Sequence, residues 1–191
     1  PGRLLATIRS RCRVLPLSPL SREDLKRAAG QALLQAKKPE LSDEDFNQLA
    51  PLAEGSVRRL LSLKEGGGLA LQSKIDRFFS NLPRLDLKAA HALADELQPA
   101  AAEQKFALFY DLFLTTLARL VRAAAAGSGE GSQDVSHHAS LAARVVGPTR
   151  LATFAELWET LARDKTEALA LNLDRKALIL DTLSRLEAAA R

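Results

Sequence analysis

The sequence predicts an all-α protein, on three grounds. The first is residue choice: 37 Leu and 33 Ala stand against 9 Val plus Ile among 191 residues. Leu and Ala lose little side-chain freedom on entering a helix, whereas β-branched residues favour strands. The second is the recurrence of apolar residues at helical spacing over most of the chain. The third is the placement of Ser or Asp just ahead of such faces, at Ser21, Ser42, Ser56 and Asp174. A side-chain oxygen there accepts from an amide that the first helical turn leaves unpaired.

Residues 3–17 are the exception. Arg11 to Leu17 alternates polar and apolar, with Pro16 and Pro19 at its end, which predicts a short strand leaving a preceding unit. One strand forms no sheet, so its partners are expected upstream. A chain that opens on Pro1 agrees with that expectation, which does not by itself account for the total lack of methionine.

Ser21-Arg22-Glu23-Asp24 resembles a capping box and opens the first helix. Leu25, Ala28, Ala29, Ala32, Leu33 and Ala36 form its apolar face, and Pro39 closes it. Ser42-Asp43-Glu44-Asp45 repeats the start signal ahead of Phe46, Leu49, Ala50 and Ala53, with Pro51 as an end or kink and Gly55 as a breaker. A third helix opens at Ser56 and carries Val57, Leu60, Leu61 and Leu63, so three short helices make a small bundle. Gly66-Gly67-Gly68 maximises backbone freedom and is expected to be a hinge between modules, a plain loop being the alternative.

Beyond the glycines, helices are expected at 69–81, 86–97, 101–126, 135–146, 149–170 and 174–190. Breakers mark the joints: Asn81 and Pro83, Pro99, the Gly/Ser run 127–132, and Gly147-Pro148. Phe106, Phe109, Tyr110, Phe113, Leu114 and Leu117 recur at helical spacing, a stripe expected to be core rather than a ligand site. In the last helix Leu178, Ile179, Thr182, Leu183 and Leu186 face one way.

Composition narrows the classes further. Hydrophobic residues at 47% and charged residues at 26% are the balance of a soluble globular chain, long enough to bury a core. No apolar run approaches the roughly 18–20 residues that span a bilayer, so no membrane partner is expected. A lone cysteine, Cys12, excludes an internal disulfide and suits a reducing, cytoplasmic setting. The net charge of +4 is uneven: residues 1–38 hold nine Lys/Arg against two acids, and the remainder nets −3. That asymmetry points to an anionic partner near the N-terminal end, or to a basic surface that is merely solvated.

A self-contained active site does not emerge. There is no GxxxxGK[ST] or GxGxxG loop for phosphates, and no carboxylate pair with a base. His91, His137 and His138 lack Cys or acid partners at metal spacing, so no metal site is expected. Cys12 has arginine neighbours but no histidine nearby in sequence. Two small constellations stand out. In Thr7-Ile8-Arg9-Ser10-Arg11-Cys12, a guanidinium on a rigid element suits phosphate oxygens, since it is always charged and donates in a fork; a surface arginine is the plainer reading. In Gly55-Ser56-Val57-Arg58-Arg59-Leu60, a turn and cap put two arginines in a first helical turn, where the amide-rich end favours anions; ordinary solvated arginines are the alternative.

The stretch Leu4-Leu5-Ala6-Thr7-Ile8-Arg9-Ser10-Arg11-Cys12 closely resembles the Ser-Arg-Cys segment of bacterial clamp-loader subunits, of the AAA+ class. Gly55-Ser-Val-Arg-Arg-Leu-Leu-Ser-Leu63 is similar to the stretch opening their sensor 2 helix, and residues 172–187 resemble a last collar helix. The resemblance implies that residues 1–17 end a nucleotide-binding-type AAA+ domain, 18–66 form a helical lid and 67–191 a collar that associates with other subunits. It implies Arg11, with Ser10 and Cys12, as an arginine finger acting in trans, and Arg58 as the sensor 2 arginine. It implies no cofactor in this chain, ATP held by neighbouring subunits, and the sliding clamp and primer-template DNA as partners of the assembled complex. A free-standing helical module that binds DNA through its basic N-terminus is the rival from another class.

Overall fold

The computed structural model describes residues 7, 11–13, 15–126, 140–171 and 173–191. Among them the fold is all-helical, with no strand. The helices are α1 (Arg22–Gln35), α2 (Asp43–Ala53), α3 (Val57–Glu65), α4 (Gly68–Asn81), α5 (Leu87–Leu97), α6 (Glu103–Ala126), α7 (Leu151–Leu171) and α8 (Arg175–Ala190). A short 3-10 turn, Ala100–Ala102, precedes α6, and residues 140–145 are helical. The strand expected at Arg11 to Leu17 is therefore a correction. Its described residues form a turn at 11–12 and irregular, exposed chain beyond, because alternation alone supplies no ladder partner. The Gly/Ser run, His137, His138 and the first part of the helix expected at 135–146 lie outside the described residues.

The cap chemistry acts locally. Ser21 Oγ accepts from the Asp24 amide and Ser42 Oγ from the Asp45 amide, both at 3.1 Å. Asp174 accepts from the Lys176 and Ala177 amides at 2.9 and 3.2 Å. Such caps contribute about 1 kcal/mol each. At the far end of α1 the chain turns through Lys37, at φ 52°. The Lys38 amide reaches Leu33 O and the Lys37 amide Leu34 O, the paired bonds of a Schellman ending. Pro51 falls inside α2 without stopping it, and the helix ends two residues later at left-handed Glu54.

The chain divides into two compact units, Pro1–Leu60 and Leu61–Arg191, with the division inside α3. The first unit buries Leu25, Ala29 and Leu33 of α1 against Phe46, Leu49, Ala50 and Ala53 of α2. Arg22 and Lys26 lie over the Phe46 ring, at 5.4 and 5.9 Å from its centroid.

The second unit is built around α6, which packs on α4 and α7, while α8 packs on α5 and α7. The expected aromatic stripe is its core. Phe106, Phe109, Tyr110 and Phe113 are fully buried, and Phe113 meets Phe79 of α4 at a ring-centroid distance of 5.2 Å. The Tyr110 hydroxyl bonds Thr182 Oγ1 at 2.7 Å and donates to Leu178 O at 3.2 Å, which joins α6 to α8 and leaves neither hydroxyl unsatisfied. Burial pushes the Tyr110 phenol well above its ordinary value, and the Thr182 bond only partly opposes that.

The glycine run is a packed turn within the second unit. Gly67 takes φ 68° ahead of α4. A Cβ at Gly66 would come 2.5 Å from Leu108 Cδ2, and one at Gly68 within 2.9 Å of Leu63 O. Gly67 is thus required by its backbone angle, and Gly68 by a neighbour's main chain.

Candidate functional site

In the first unit the chain entering α1 meets the turn before α3. The Leu20 amide donates to Gly55 O at 3.1 Å. Gly55 has φ 74°, and a Cβ there would lie 2.7 Å from both Leu20 N and Pro19 Cβ. Only glycine fits, and the contact brings the capped starts of α1 and α3 together. At the α3 start Ser56 Oγ accepts from the Arg59 amide at 3.3 Å, and the Arg59 side chain pairs with Glu54 at 3.1 Å.

Arg58 sits in that first turn and is exposed. Arg11 and Cys12 lie in the exposed turn near the start of the chain, and Ser10 lies outside the described residues. Neither Arg11 nor Arg58 has a side-chain hydrogen bond or ion pair among the described residues. Lys26 pairs with Asp43 at 2.6 Å, Arg27 with Asp24, and Arg22 donates to Asn47 Oδ1, whereas Arg13 and Lys37, like Arg11 and Arg58, have no such partner among the described residues. The Lys26 hydrogen bond and charge hold the Asp43 carboxyl below its ordinary value. Arg11 and Arg58 each present an exposed guanidinium that can take phosphate or carboxylate oxygens in bidentate fashion, and no contact among the described residues brings the two together. They offer no nucleophile, general base or metal ligand set, and no group of three His, Cys, Asp or Glu able to hold a metal occurs among the described residues.

Charge sharpens the contrast. Pro1–Leu60 holds eleven Lys/Arg against seven acids, and Leu61–Arg191 holds sixteen of each, so the whole excess of +4 belongs to the first unit. Asp43 to Asp45 in the first turn of α2 dilute it locally.

Sequence reading missed one feature of the second unit. Lys74, Arg77 and Phe78 of α4 and Ala89, Ala92 and Leu93 of α5, with Asp86, line a cleft of about 160 Å³. On each helix the residues stand at i, i+3 and i+4, the spacing of any amphipathic face, so nothing in the sequence marks these two faces as neighbours.

No protein-family model matches the chain, and neither the curated proteins nor the solved structures yield a match. Among the described residues no helix is long and apolar enough to cross a membrane.

Proposed function

We propose that this chain is the lid and collar region of a bacterial clamp-loader subunit of the delta prime type, which assembles with other subunits and offers Arg11 to ATP held by a neighbour. The observation that carries the reading is the Ser10-Arg11-Cys12 motif, with Arg11 exposed and without a side-chain partner among the described residues. A finger acting in trans needs both properties, since it must leave its own chain and meet developing negative charge on transferring phosphoryl oxygens. Arg58, exposed at a capped helix start, fits an anion-facing sensor position. The chain supplies no hydrolytic group of its own on this reading. Its contribution is cytoplasmic assembly of the loader that places the sliding clamp on primed DNA, with turnover in adjacent subunits of the polymerase holoenzyme. The ATPase subunit of the same loader, tau or gamma, is the nearest alternative assignment.

The test is Arg11→Ala in the assembled loader. Assembly should be unchanged while DNA-dependent ATP turnover falls, by about 10³-fold if the full effect of such fingers applies. Unchanged turnover would remove the finger role. The concentration of positive charge in the first unit favours a second reading, direct DNA binding by the isolated chain. Filter binding that weakens steeply with salt, without any loader partner present, would select it.

A further inference from the structure

We propose that the cleft between α4 and α5 is the docking site for an acidic amphipathic helix of a partner protein, which inserts one Leu- or Phe-sized side chain between Phe78, Ala89 and Leu93. The proposal is independent of the clamp-loader reading. Its first support is size. The cleft measures about 160 Å³. An apolar cavity of about 150 Å³ holds one benzene, whereas sites for free small-molecule ligands begin near 300 Å³. The cleft therefore suits a single anchoring side chain and is too small for a cofactor. Interfaces concentrate their energy on such anchors in pockets.

Its second support is shape. α4 packs mainly on α6, and α5 mainly on α8, which leaves the gap between them. Phe78 and Leu93 are buried and form the floor, while Ala92 is exposed at the mouth. Small alanines on one wall leave room for the side chain of a helix laid in the groove.

Its third support is charge. Arg77 faces Asp86 at 3.3 Å, and Lys74 pairs with Glu96, which also receives Lys105 at 2.6 Å. The charged residues that line the cleft are two cations, Lys74 and Arg77, and one acid, Asp86. The Glu96 carboxyl is held below its ordinary value by Lys105 and Lys74 together, so it stays ionised and fully shared. The excess positive charge complements acidic residues flanking the anchor, which speeds docking and selects the partner. The Arg77–Asp86 pair is exposed enough that a partner carboxylate exchanges with it at little cost.

The experiment titrates the whole chain, nitrogen-labelled for amide NMR, with a synthetic acidic amphipathic helical peptide carrying one central Phe. Shifts should centre on Phe78, Ala89 and Leu93. Replacing the peptide Phe by Ala should weaken binding about tenfold or more, and replacing its Glu residues by Lys should do the same. Ala92→Phe fills the mouth from an exposed position and should abolish binding with helix content intact. Arg77→Glu, a second surface change, should reverse the preference toward the basic peptide. Shifts elsewhere, equal binding of the basic peptide, indifference to Ala92→Phe, or saturation by phenylpropionate as tight as by the peptide would each overturn the proposal.

Discussion

The two units differ in charge balance. In Leu61–Arg191 sixteen cations meet sixteen acids, and ion pairs join separate helices: Lys165–Asp111 at 2.5 Å, Arg175–Glu103 at 2.8 Å, Lys176–Asp95 at 2.5 Å. In Pro1–Leu60 cations outnumber acids eleven to seven, one ion pair, Lys26–Asp43, joins α1 to α2, and Arg11 and Arg58 are exposed with no side-chain partner among the described residues. Their interiors differ as sharply. All seven Phe and Tyr110 are buried, yet only Phe46 belongs to the first unit. Aromatic rings bury the most area per residue and dominate core energetics. The larger unit is thus matched to itself, while the smaller has a light core and a surface that suits an anionic partner.

The strongest way to break this comparison is to remove a ring from the heavier core. Phe113→Ala should cost about 3–5 kcal/mol, because Phe113 is fully buried against Phe79 and Phe109. Urea unfolding followed by fluorescence measures it, since the sole tryptophan, Trp158, lies in the second unit. In the unaltered chain, loss of helix by circular dichroism should begin at lower urea than the fluorescence change. Coincident curves would show that the two units unfold as one.

Gly55→Ala tests the lighter unit. The added carbon meets main chain at Leu20, at a backbone angle that L-residues avoid, so a loss of about 2 kcal/mol is expected in the circular-dichroism transition. The fluorescence transition should stay where it was. A shift in both would make the division between units meaningless.

Tyr110→Phe should cost about 1–3 kcal/mol by stranding the Thr182 hydroxyl in the core. The same tyrosine makes the second unit sensitive to alkali. Its pKa is raised on folding, so the stability it contributes is complete below the ordinary value of 10.0 and declines as pH rises above that. Alkaline melting of the fluorescence signal should therefore flatten in the Phe variant. At the acid end Glu96 has the opposite sign. Its depressed pKa contributes stability above the ordinary 4.5 that is lost as pH falls through the folded value. The smallest effect expected is a gain: Lys37→Gly relieves a left-handed residue at the α1 ending and should stabilise the first unit by up to about 1 kcal/mol, read from its midpoint in urea.

What was legible in the sequence was what neighbours along the chain decide. Ser21, Ser42 and Asp174 cap helices through amides two or three residues away, and the Phe106–Phe113 stripe follows from helical period alone. The strand expected at Arg11–Leu17 failed because pairing depends on residues far away, about which alternation says nothing. The roles of Gly66 and Gly68 depend on Leu108 and Leu63, and that of Gly55 on Leu20, so composition could not separate a packed turn from a loose one. Arg11 was legible as part of a motif, but the finger role proposed for it depends on a phosphate outside this chain. The α4/α5 cleft stayed hidden because two ordinary helix faces make it only when folded.

The packed glycine turn also bears on how the protein can be taken apart. A run of three glycines invites cutting, splicing or the insertion of a tag. Here the backbone between Leu63 and α4 is held against its own side chains, and α4 starts within it. A protease that needs several residues of extended chain should pass over these glycines in the native protein. An insertion there should fail to express as a folded product, whereas the exposed residues 15–18, ahead of the Leu20–Gly55 contact, should accept either operation.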